Sequence, residues 1–440
     1  MVEMPLSDWQ NRVALARSVR HLGRLQRRLL FQPAYASLTL IAETDMTASN
    51  LVAHSVFCPP VLAPYTPRSA VAATARVLHV INGEHFSGAE RVQQLLGRGL
   101  PKFGFEADFA CVKQGKFPEL CGLPEQRVIT VPMQGRFDWT VVGKLAHVVS
   151  EREIEILHAH TPRTALVTSL LARKTGLPWV YHVHSPAARD STRGTLNRVN
   201  QWIEHHALRS CQQLITVSRS LRREMLRCGV SRERLAVVPN GVPAIEPIQA
   251  HLRQNESTWR LGLIALMRPR KGVEVALQAM KLLKERQLPV TLELIGGFET
   301  PAYQQQTLEL LRSLGLEDCV HWSGFTNDIP SAVRGLDALL LPSLFGEGMP
   351  MVVLEALAAA VPVVATRVEG TPEVIRDGIE GLLAEPGSAT SLAEKLCQLV
   401  QDRDAWSRMS AQALARHRTS FSDERMAERT ARIYHRLLSR

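Results

Sequence analysis

The sequence contains no apolar stretch long enough to cross a lipid bilayer. A membrane-spanning helix needs about 18 consecutive apolar residues, and the best candidate, residues 351–365, is interrupted by Glu355 and Pro362. The N-terminus also lacks a charged segment followed by an apolar segment and a cleavage site, which is the pattern of a secretory signal. We therefore expect neither a transmembrane helix nor a signal peptide.

Cysteine and aromatic residues are few. The seven cysteines are odd in number, widely spaced and never in a CxxC pair, which argues against a zinc framework and indicates the reduced thiols of a cytoplasmic protein. Aromatic residues make up 5% of the chain and we recognise no nucleic-acid-binding module, so we expect no nucleic acid partner. The formal net charge of +10 equally suits an anionic membrane surface or a phosphate-bearing substrate.

The length and the apolar pattern predict two domains. With 440 residues, of which 45% are hydrophobic, the chain can fill two cores of about 150–200 residues each. Short apolar runs alternate with helical patterns, which predicts an α/β fold of two Rossmann-like, doubly wound parallel-sheet domains, residues 71–245 and 246–415. Such sheets bind ligands at the carboxyl ends of their strands, so we expect the site in a central cleft that both domains face.

Residues 1–70 differ in pattern from the rest of the chain. Leucines and a valine at helical spacing within residues 12–30, with arginines at many other positions, predict a basic amphipathic helix. Such a helix can dock on anionic lipid, or it can present a charged outer face above an ordinary core stripe, and both interpretations stay open. Residues 31–69 contain prolines and little periodicity, which is typical of an irregular connection.

Two glutamates lie in one of the most apolar stretches of the chain, PSLFGEGMPMVVLEALAAAVPVVAT. Glycines and a proline flank Glu347, and because glycine costs a helix about 1 kcal/mol and an interior proline about 3 kcal/mol, Glu347 is predicted to lie on a loop. Pro350 suits the first turn of the helix that follows. The N-terminus of that helix can bind an anion such as a diphosphate. Glu355 falls inside the helix, where an ionised carboxylate needs a partner.

This stretch resembles the EX7E block of the retaining family 4 glycosyltransferases, which have the GT-B fold. Glu347 and Glu355 have seven residues between them, and the flanking segments AVPVVAT and GTPEVIRDGIEG also match the family pattern. The resemblance extends over roughly residues 75–440. It implies a nucleotide-diphosphate-sugar donor, retention of anomeric configuration, and a C-terminal helix, residues 416–440, that crosses back to the N-terminal domain.

The resemblance also implies roles for individual residues. Glu347 is expected to contact the donor hexose and Glu355 the ribose hydroxyls of the nucleotide. Lys271, in the segment RPRKG, matches the lysine that contacts the donor diphosphate, and Arg268 is its expected partner. The family arginine usually stands five places before the lysine, where this chain has Leu266. Independently of the family, three cations within four residues after a strand suit a diphosphate clamp.

Glycines are expected to let the backbone approach the donor. The segment SGAE is similar to the family's Gly-Gly-x-Glu loop, with Ser87 in place of the first glycine. Gly88 still permits close approach of a diphosphate. The resemblance further implies donor contacts at Gly348 and Met349, beside the first glutamate of the pair.

Histidines end two of the predicted strands. His184 matches the family's histidine near the reacting sugar. His158 and His160 share one strand face, but two ligands do not make a metal site, and the resemblance places His160 near the acceptor pocket instead. We expect no metal and no cofactor, because Arg268 and Lys271 would neutralise the charge that develops on the departing nucleoside diphosphate.

The sequence therefore predicts a retaining glycosyltransferase that moves a hexosyl unit from a nucleotide sugar to a glycan or lipid-linked acceptor. Bacterial exopolysaccharide or lipopolysaccharide synthesis, by a cytoplasmic protein peripheral to the inner face of the plasma membrane, fits the basic surface. Two alternatives stay open: a non-catalytic nucleotide-sugar-binding partner subunit, suggested by the departures at Leu266 and Ser87, and a nucleotide-sugar epimerase of the same fold.

Overall fold

The computed structural model describes residues 74–135, 138–185, 208–247 and 258–439. The predicted N-terminal amphipathic helix and irregular connection, residues 1–70, lie outside this part of the chain. Within it, short apolar segments form strands and the segments between them form helices, as the alternating pattern of the sequence predicts.

The first sheet is parallel throughout. Its strands are β1 (Ala75–Ile81), β2 (Phe105–Cys111), β3 (Val128–Thr130), β4 (Ile154–Ala159), β5 (Trp179–Val183), β6 (Gln213–Thr216) and β7 (Leu235–Val237). They are arranged in the order β3-β2-β1-β4-β5-β6-β7, so that β1 lies between β2 and β4. A parallel sheet is covered on both faces, which is why its strands are nearly continuous apolar runs.

The second sheet is also parallel. Its strands are β8 (Trp259–Ile264), β9 (Val290–Ile295), β10 (Val320–Gly324), β11 (Ala338–Leu341), β12 (Val363–Thr366) and β13 (Gly381–Ala384). Their order is β10-β9-β8-β11-β12-β13. In both sheets the winding reverses beside the first strand, and the crevice at the carboxyl ends of the strands on either side of that point is where such folds bind ligands. The prediction of two Rossmann-like domains is confirmed.

Several helices begin where the sequence supplies an N-terminal capping side chain. Ser218, Thr300, Ser388 and Asp402 each accept a hydrogen bond from a backbone N–H in the first turn of the following helix, which satisfies a donor that the helix itself leaves unpaired. The helices are α1 (Gly88–Gly99), α2 (Phe117–Leu120), α3 (Thr140–Glu151), α4 (Pro162–Thr175), α5 (Arg219–Arg227), α6 (Val273–Glu285), α7 (Pro301–Ser313), α8 (Ile329–Arg334), α9 (Met351–Ala358), α10 (Thr371–Val374), α11 (Ala389–Gln401), α12 (Arg403–Arg416) and α13 (Asp423–Leu438).

The alternation of side chains along the strands divides the core of the second domain. Leu339 and Leu341 of β11 belong to one apolar cluster, while Ala338 and Leu340 belong to the cluster on the opposite face of the sheet. The first of these clusters continues through α9 into the core of the first domain. The two domains therefore share buried apolar contacts on the side of the sheet that α9 covers.

The last helix, α13, packs against the first domain. A Cβ atom at Gly99 of α1 would lie 2.8 Å from the Cβ of Ala427, so the glycine permits this close contact between helices. Tyr434 is 0% exposed, and its ring lies edge-on to that of Phe105 with 5.2 Å between centroids. The C-terminal helix thus contributes a tyrosine to the core of the first domain.

Among the helices of the described part of the chain, none combines the length with the apolar character that a bilayer crossing requires.

Candidate active site

Two buried glutamates lie at the carboxyl end of β11. Glu347 is on the loop between β11 and α9, and Glu355 is in the second turn of α9; they are 5% and 3% exposed. The sequence placed Pro350 inside the first helical turn, but the helix begins one residue later and Pro350 is its N-cap. Among the described residues no side chain caps this helix through a hydrogen bond, so its first N–H groups can donate to an anion in the cleft.

A cluster of positive charge surrounds Glu347. Lys271 donates a hydrogen bond to its Oε1 at 2.5 Å, Ser343 Oγ donates to the same oxygen at 2.7 Å, and Arg270 Nη1 lies 3.6 Å away. Burial alone would raise the pKa of the Glu347 carboxyl, but Lys271, Ser343 and Arg270 together outweigh burial and hold that pKa below its usual value. Glu347 is therefore an ionised carboxylate.

The basic loop after β8 is shaped by one glycine. Gly272 has φ +69°, and a Cβ there would lie 2.1 Å from the carbonyl oxygen of Pro342 at the end of β11. Only glycine lets the loop pack this closely, and the packing brings Lys271 to the glutamate loop. Arg270 reaches the same loop and donates to the carbonyl oxygen of Gly346 at 3.2 Å.

The structure places the two arginines of this loop differently. Arg268, the predicted partner of Lys271, forms an ion pair with Glu299 at 3.6 Å, so its role toward the donor stays a prediction. Arg270 faces Glu347 instead. The pattern of the RPRK run does not show which of its two arginines faces Glu347.

The N-terminus of α1 faces the N-terminus of α9 across the cleft. A Cβ at Gly88 would lie 3.4 Å from Cγ of Met351, which places the first residues of two helices from different domains side by side. Helix N-termini favour anions. The fold thus gives Gly88 a position at the cleft. Its contact with a diphosphate remains a prediction.

Arg91 of α1 lies against Glu355. Its Nη1 is 2.6 Å from Oε1 of Glu355, but the approach is not aligned as a hydrogen bond, and among the described residues this buried oxygen has no hydrogen-bond partner. Burial raises the pKa of the Glu355 carboxyl, and Arg91 offsets only part of that effect. The carboxylate therefore keeps hydrogen-bonding capacity for a ligand. A cavity of about 270 Å³, lined in part by Arg91, Glu355 and Pro330, opens beside it.

Gly348 and Met349 lie where the glutamate loop meets the first domain. A Cβ at Gly348 would lie 2.1 Å from the carbonyl oxygen of His184, so no larger residue fits there. Asn240, at the end of the first domain, donates from Nδ2 to the carbonyl oxygen of Met349 at 3.2 Å. Both residues are thus in contact with the first domain, and their predicted contact with the donor stays a prediction.

Glu373 forms an interdomain contact that the sequence reasoning missed. Its carboxylate accepts hydrogen bonds from the backbone N–H groups of Arg219 at 2.7 Å and Ser220 at 2.6 Å. These two groups begin α5 of the first domain, whereas Glu373 lies on α10 of the second. The segment GTPEV matches the family pattern, but its sequence does not reveal a partner in the other domain.

Five histidines gather at the carboxyl ends of three adjacent strands, β1, β4 and β5. They are His79, His158, His160, His182 and His184. The first four are 0–3% exposed, and burial lowers the pKa of every ring in the group, that of His184 to about 4. The imidazoles are therefore neutral at pH 7.

Two of these histidines were not predicted. His182 precedes His184 by two residues, as His158 precedes His160, so strand alternation was an available signal. His79 stands alone in its strand, and only the pairing of β1 with β4 brings it beside His158. His160 is 3% exposed, and His184 lies between it and the cleft. A contact between His160 and an acceptor therefore remains a prediction.

Two family models match the chain. The model described as "Glycosyltransferase Family 4" matches residues 86–244, and the model described as "Glycosyl transferases group 1" matches residues 259–402. The first match covers most of the domain that carries His184, and the second covers both glutamates and the basic loop. Together they match more than half of the chain.

Two curated relatives are glycosyltransferases by name. The chain is 24% identical over 349 residues, 74% of its length and 88% of the relative's, to "UDP-Gal:alpha-D-GlcNAc-diphosphoundecaprenol alpha-1,3-galactosyltransferase" of Escherichia coli. It is 30% identical over 234 residues, 51% of its length and 56% of the relative's, to "Amylovoran biosynthesis glycosyltransferase AmsK" of Erwinia amylovora.

A solved structure has the same fold. The crystal structure of Anabaena HepE in complex with UDP-glucose superimposes with a TM-score of 0.72 over 82% of this chain and 99% of that one, at 21% identity. At this identity the likeness concerns the fold alone.

Proposed function

The chain belongs to the glycosyltransferases of group 1 and family 4 and has their GT-B fold, and on this premise we propose that it transfers a hexosyl unit from a UDP-hexose to a lipid-linked or glycan acceptor, with retention of anomeric configuration. The observation that carries the proposal is the buried Lys271–Glu347 pair, which lies at the strand ends of the second domain beside His184 of the first. A donor in the cleft would meet all three side chains.

The donor diphosphate belongs near the N-termini of α1 and α9. Two helix N-termini and the ammonium of Lys271 supply fixed positive charge to one small region of the cleft. As the bond between the sugar and the diphosphate breaks, negative charge grows on the leaving group. Fixed charges that are already in place stabilise it without reorganisation. This is the role we assign to Lys271, to Arg270, and to Arg268 if its contact with Glu299 opens.

Glu347 is held ready to bind the hexose. In the structure the lysine ammonium is engaged with the Glu347 carboxylate at 2.5 Å. When the diphosphate of the donor enters, the ammonium can donate to both anions, which frees lone pairs of Glu347 for hydroxyl groups of the sugar. The ion pair keeps the carboxylate charged in a buried setting, so it accepts such hydrogen bonds strongly.

Glu355 is proposed to bind the ribose. Its Oε1 has no aligned donor among the described residues, and the two hydroxyls of a ribose are donors of the kind that a carboxylate accepts. Arg91 then neutralises the buried charge from the other domain. A UDP donor is favoured by the printed name of the E. coli relative and by the UDP-glucose complex of the Anabaena protein.

We propose a lipid-linked or glycan acceptor and a place at the cytoplasmic face of the plasma membrane. The support is the net charge of +10, the basic pattern within residues 1–70, and the diphosphoundecaprenol acceptor in the name of the E. coli relative. Exopolysaccharide or lipopolysaccharide assembly is the corresponding process.

The test is an assay of purified protein with UDP-, GDP- and ADP-hexoses, with and without a polyprenyl-diphosphate-linked sugar. We expect slow hydrolysis of UDP-hexose alone, faster consumption with the acceptor, and an α-linked product from an α-linked donor. Glu347→Gln should abolish both reactions. Undiminished turnover by Glu347→Gln, a β-linked product, or consumption of none of the donors would overturn the proposal.

A further inference from the structure

Five side chains, four of them buried, form a hydrogen-bonded row that ends at His184. The row begins at His158 of β4, passes through Tyr434 of α13 and His79 of β1, and continues through His160 to His184 after β5. We call these five side chains the relay. Tyr434 is the member that the C-terminal helix brings into the first domain, 276 residues from His158 along the chain.

Four contacts connect the relay. His158 Nδ1 lies 2.5 Å from the Tyr434 hydroxyl, and that hydroxyl lies 3.4 Å from His79 Nε2. His79 Nδ1 lies 2.9 Å from His160 Nε2, and His160 Nδ1 lies 3.0 Å from His184 Nε2. Each interior ring therefore uses both of its nitrogens within the row.

The three rings joined by nitrogen–nitrogen contacts, His79, His160 and His184, can have only two proton arrangements while they stay neutral. A neutral imidazole carries one N–H and one bare nitrogen, and a hydroxyl carries one proton. Each nitrogen–nitrogen contact needs one of each kind, so fixing the proton at one position fixes every other. The N–H groups of these three rings point either from His79 toward His184 or from His184 toward His79.

The distances select one arrangement. Hydrogen bonds donated by O–H are shorter than those donated by N–H, so the 2.5 Å contact is best donated by the Tyr434 hydroxyl to His158 Nδ1. The hydroxyl then accepts from His79 Nε2–H over the longer 3.4 Å contact. It follows that His160 Nε2–H donates to His79, and that His184 Nε2–H donates to His160.

The arrangement leaves a bare nitrogen at the cleft end. His184 Nδ1 is buried and has no hydrogen-bond partner among the described residues, while the carbonyl oxygen of His184 touches the loop of Glu347 at Gly348. With its proton on Nε2, His184 offers Nδ1 as an acceptor. A hydroxyl group of a sugar is a matching donor.

The spacing also bears on whether the histidines share a metal ion. Two nitrogens bound tetrahedrally to one zinc ion at about 2.0–2.1 Å lie about 3.3–3.4 Å apart. The nitrogens of His79 and His160, and those of His160 and His184, are 2.9 and 3.0 Å apart. A shared proton fits these pairs better than a shared ion.

We propose that Tyr434, His79 and His160 are positioning residues that hold His184 as its Nε2–H tautomer, so that Nδ1 accepts a hydrogen bond from a sugar hydroxyl of the substrate. The tautomer follows from the relay alone. The identity of the hydroxyl rests on the proposed function.

The first test reads the tautomer without substrate. In protein labelled with ¹⁵N-histidine, long-range ¹H–¹⁵N correlation spectra at pH 7.5 distinguish a protonated from a bare ring nitrogen. We expect His184, assigned by loss of its signals in His184→Gln, to be protonated at Nε2. In Tyr434→Phe, the His79 Nε2–H loses its acceptor, and we expect the His184 proton to move to Nδ1. A wild-type protein with His184 protonated at Nδ1, or stoichiometric zinc in the untagged purified protein, would overturn the proposal.

The second test reads activity. We expect Tyr434→Phe to lower kcat at least about tenfold and to leave the donor KM within about twofold, because the groups assigned to the diphosphate and the ribose are untouched while His184 loses the acceptor that orients the sugar hydroxyl. Tyr303→Phe, which removes the hydroxyl of another buried tyrosine on α7, should leave kcat unchanged. His79→Asn, whose amide oxygen can accept from His160, should retain more kcat than His79→Leu. Equal losses in these two variants, or full kcat in Tyr434→Phe, would contradict the role.

The two proposals fail separately. If the wild-type protein consumes no nucleotide sugar, the proposed function is wrong, and the tautomer of His184 can still be measured. If transfer is observed but the tautomer is unaffected by Tyr434→Phe, the relay is wrong and the function stands.

Discussion

Arg91, in the first helix of the first domain, lies 2.6 Å from Glu355, in a helix of the second domain. The glutamate side chain is 5% exposed and that of the arginine 25%, so the pair is largely removed from water. The contact ties the proposed ribose ligand to the opposite side of the cleft. Its loss should affect both stability and donor binding.

Arg91→Leu should lower the free energy of unfolding by about 1–3 kcal/mol, because it leaves a buried carboxylate without a countercharge. The double variant Arg91→Leu/Glu355→Gln should regain most of that loss, since an amide needs no countercharge. Urea denaturation at pH 7.5 measures both effects. A double variant as unstable as Arg91→Leu alone would show that the ion pair does not carry the effect.

Replacing the cations of the basic loop one at a time should separate their roles. We expect Lys271→Ala to abolish transfer with the fold intact, because Glu347 loses its partner and the diphosphate loses an ammonium. Arg270→Ala should lower kcat/KM more than Arg268→Ala, since Arg270 faces Glu347 while Arg268 pairs with Glu299. Circular dichroism checks the fold of each variant. The reverse order of the two arginines would assign Arg268 as the partner of Lys271.

Glu373 should hold the two domains together. Glu373→Gln weakens two hydrogen bonds that its carboxylate accepts from the start of α5 in the other domain, so we expect a donor KM at least about threefold higher along with a loss of about 1 kcal/mol. The matched control is Asp402→Asn, which weakens the cap of α12 within one domain. It should lower stability without changing the donor KM. Equal donor KM values in the two variants would rule out the interdomain role.

The histidine group should make the protein sensitive to acid. Burial lowers the pKa of His182 well below its ordinary value of 6.5, so in mild acid the unfolded chain binds a proton that the folded chain does not. Stability is therefore fully present above about pH 6.5 and falls below it, by about 1.4 kcal/mol per pH unit for each such imidazole.

His182→Leu should make this slope shallower. Both ring nitrogens of His182 are buried without partners among the described residues, so the variant should be no less stable than wild type at pH 7.5. Urea denaturation at pH 7.5, 6.0 and 5.0 gives the slope. Replacement of the exposed His147 by Ala serves as the control and should leave the slope as in the wild type. An unchanged slope in His182→Leu would contradict the prediction.

Deletion of residues 1–70 should weaken membrane binding. The full chain is expected to float with vesicles that contain phosphatidylglycerol at low salt and to be released at high salt, because Lys and Arg contacts with anionic lipid are screened by ions. The shortened chain should float less. Absence of binding by both chains at every salt concentration would remove the idea of a peripheral membrane protein.

The strands and the setting of Glu347 followed from local physical rules. Apolar runs such as Ala338–Leu341 gave the parallel strands, and glycines with Pro350 indicated that Glu347 lies on a loop before a helix. These features depend on the conformational preferences of a few neighbouring residues. A single sequence is therefore sufficient to predict them.

The contacts between domains did not follow from the sequence. The partnership of Arg91 with Glu355, and of Glu373 with the start of α5, depends on how two separately folded sheets meet. His79 joins the other histidines only because β1 lies beside β4, although two strands separate them along the chain. Tyr434 joins them only because the last helix returns to the first domain. No periodicity of the local sequence encodes such distant neighbours.

A crystal structure with bound UDP-hexose tests the central claim most directly. We predict that the diphosphate lies between the N-termini of α1 and α9 within hydrogen-bond distance of Lys271 Nζ, with the ribose hydroxyls on Glu355 and the hexose hydroxyls on Glu347. A donor bound outside the cleft, or bound in the cleft with neither glutamate in contact with it, would contradict the account.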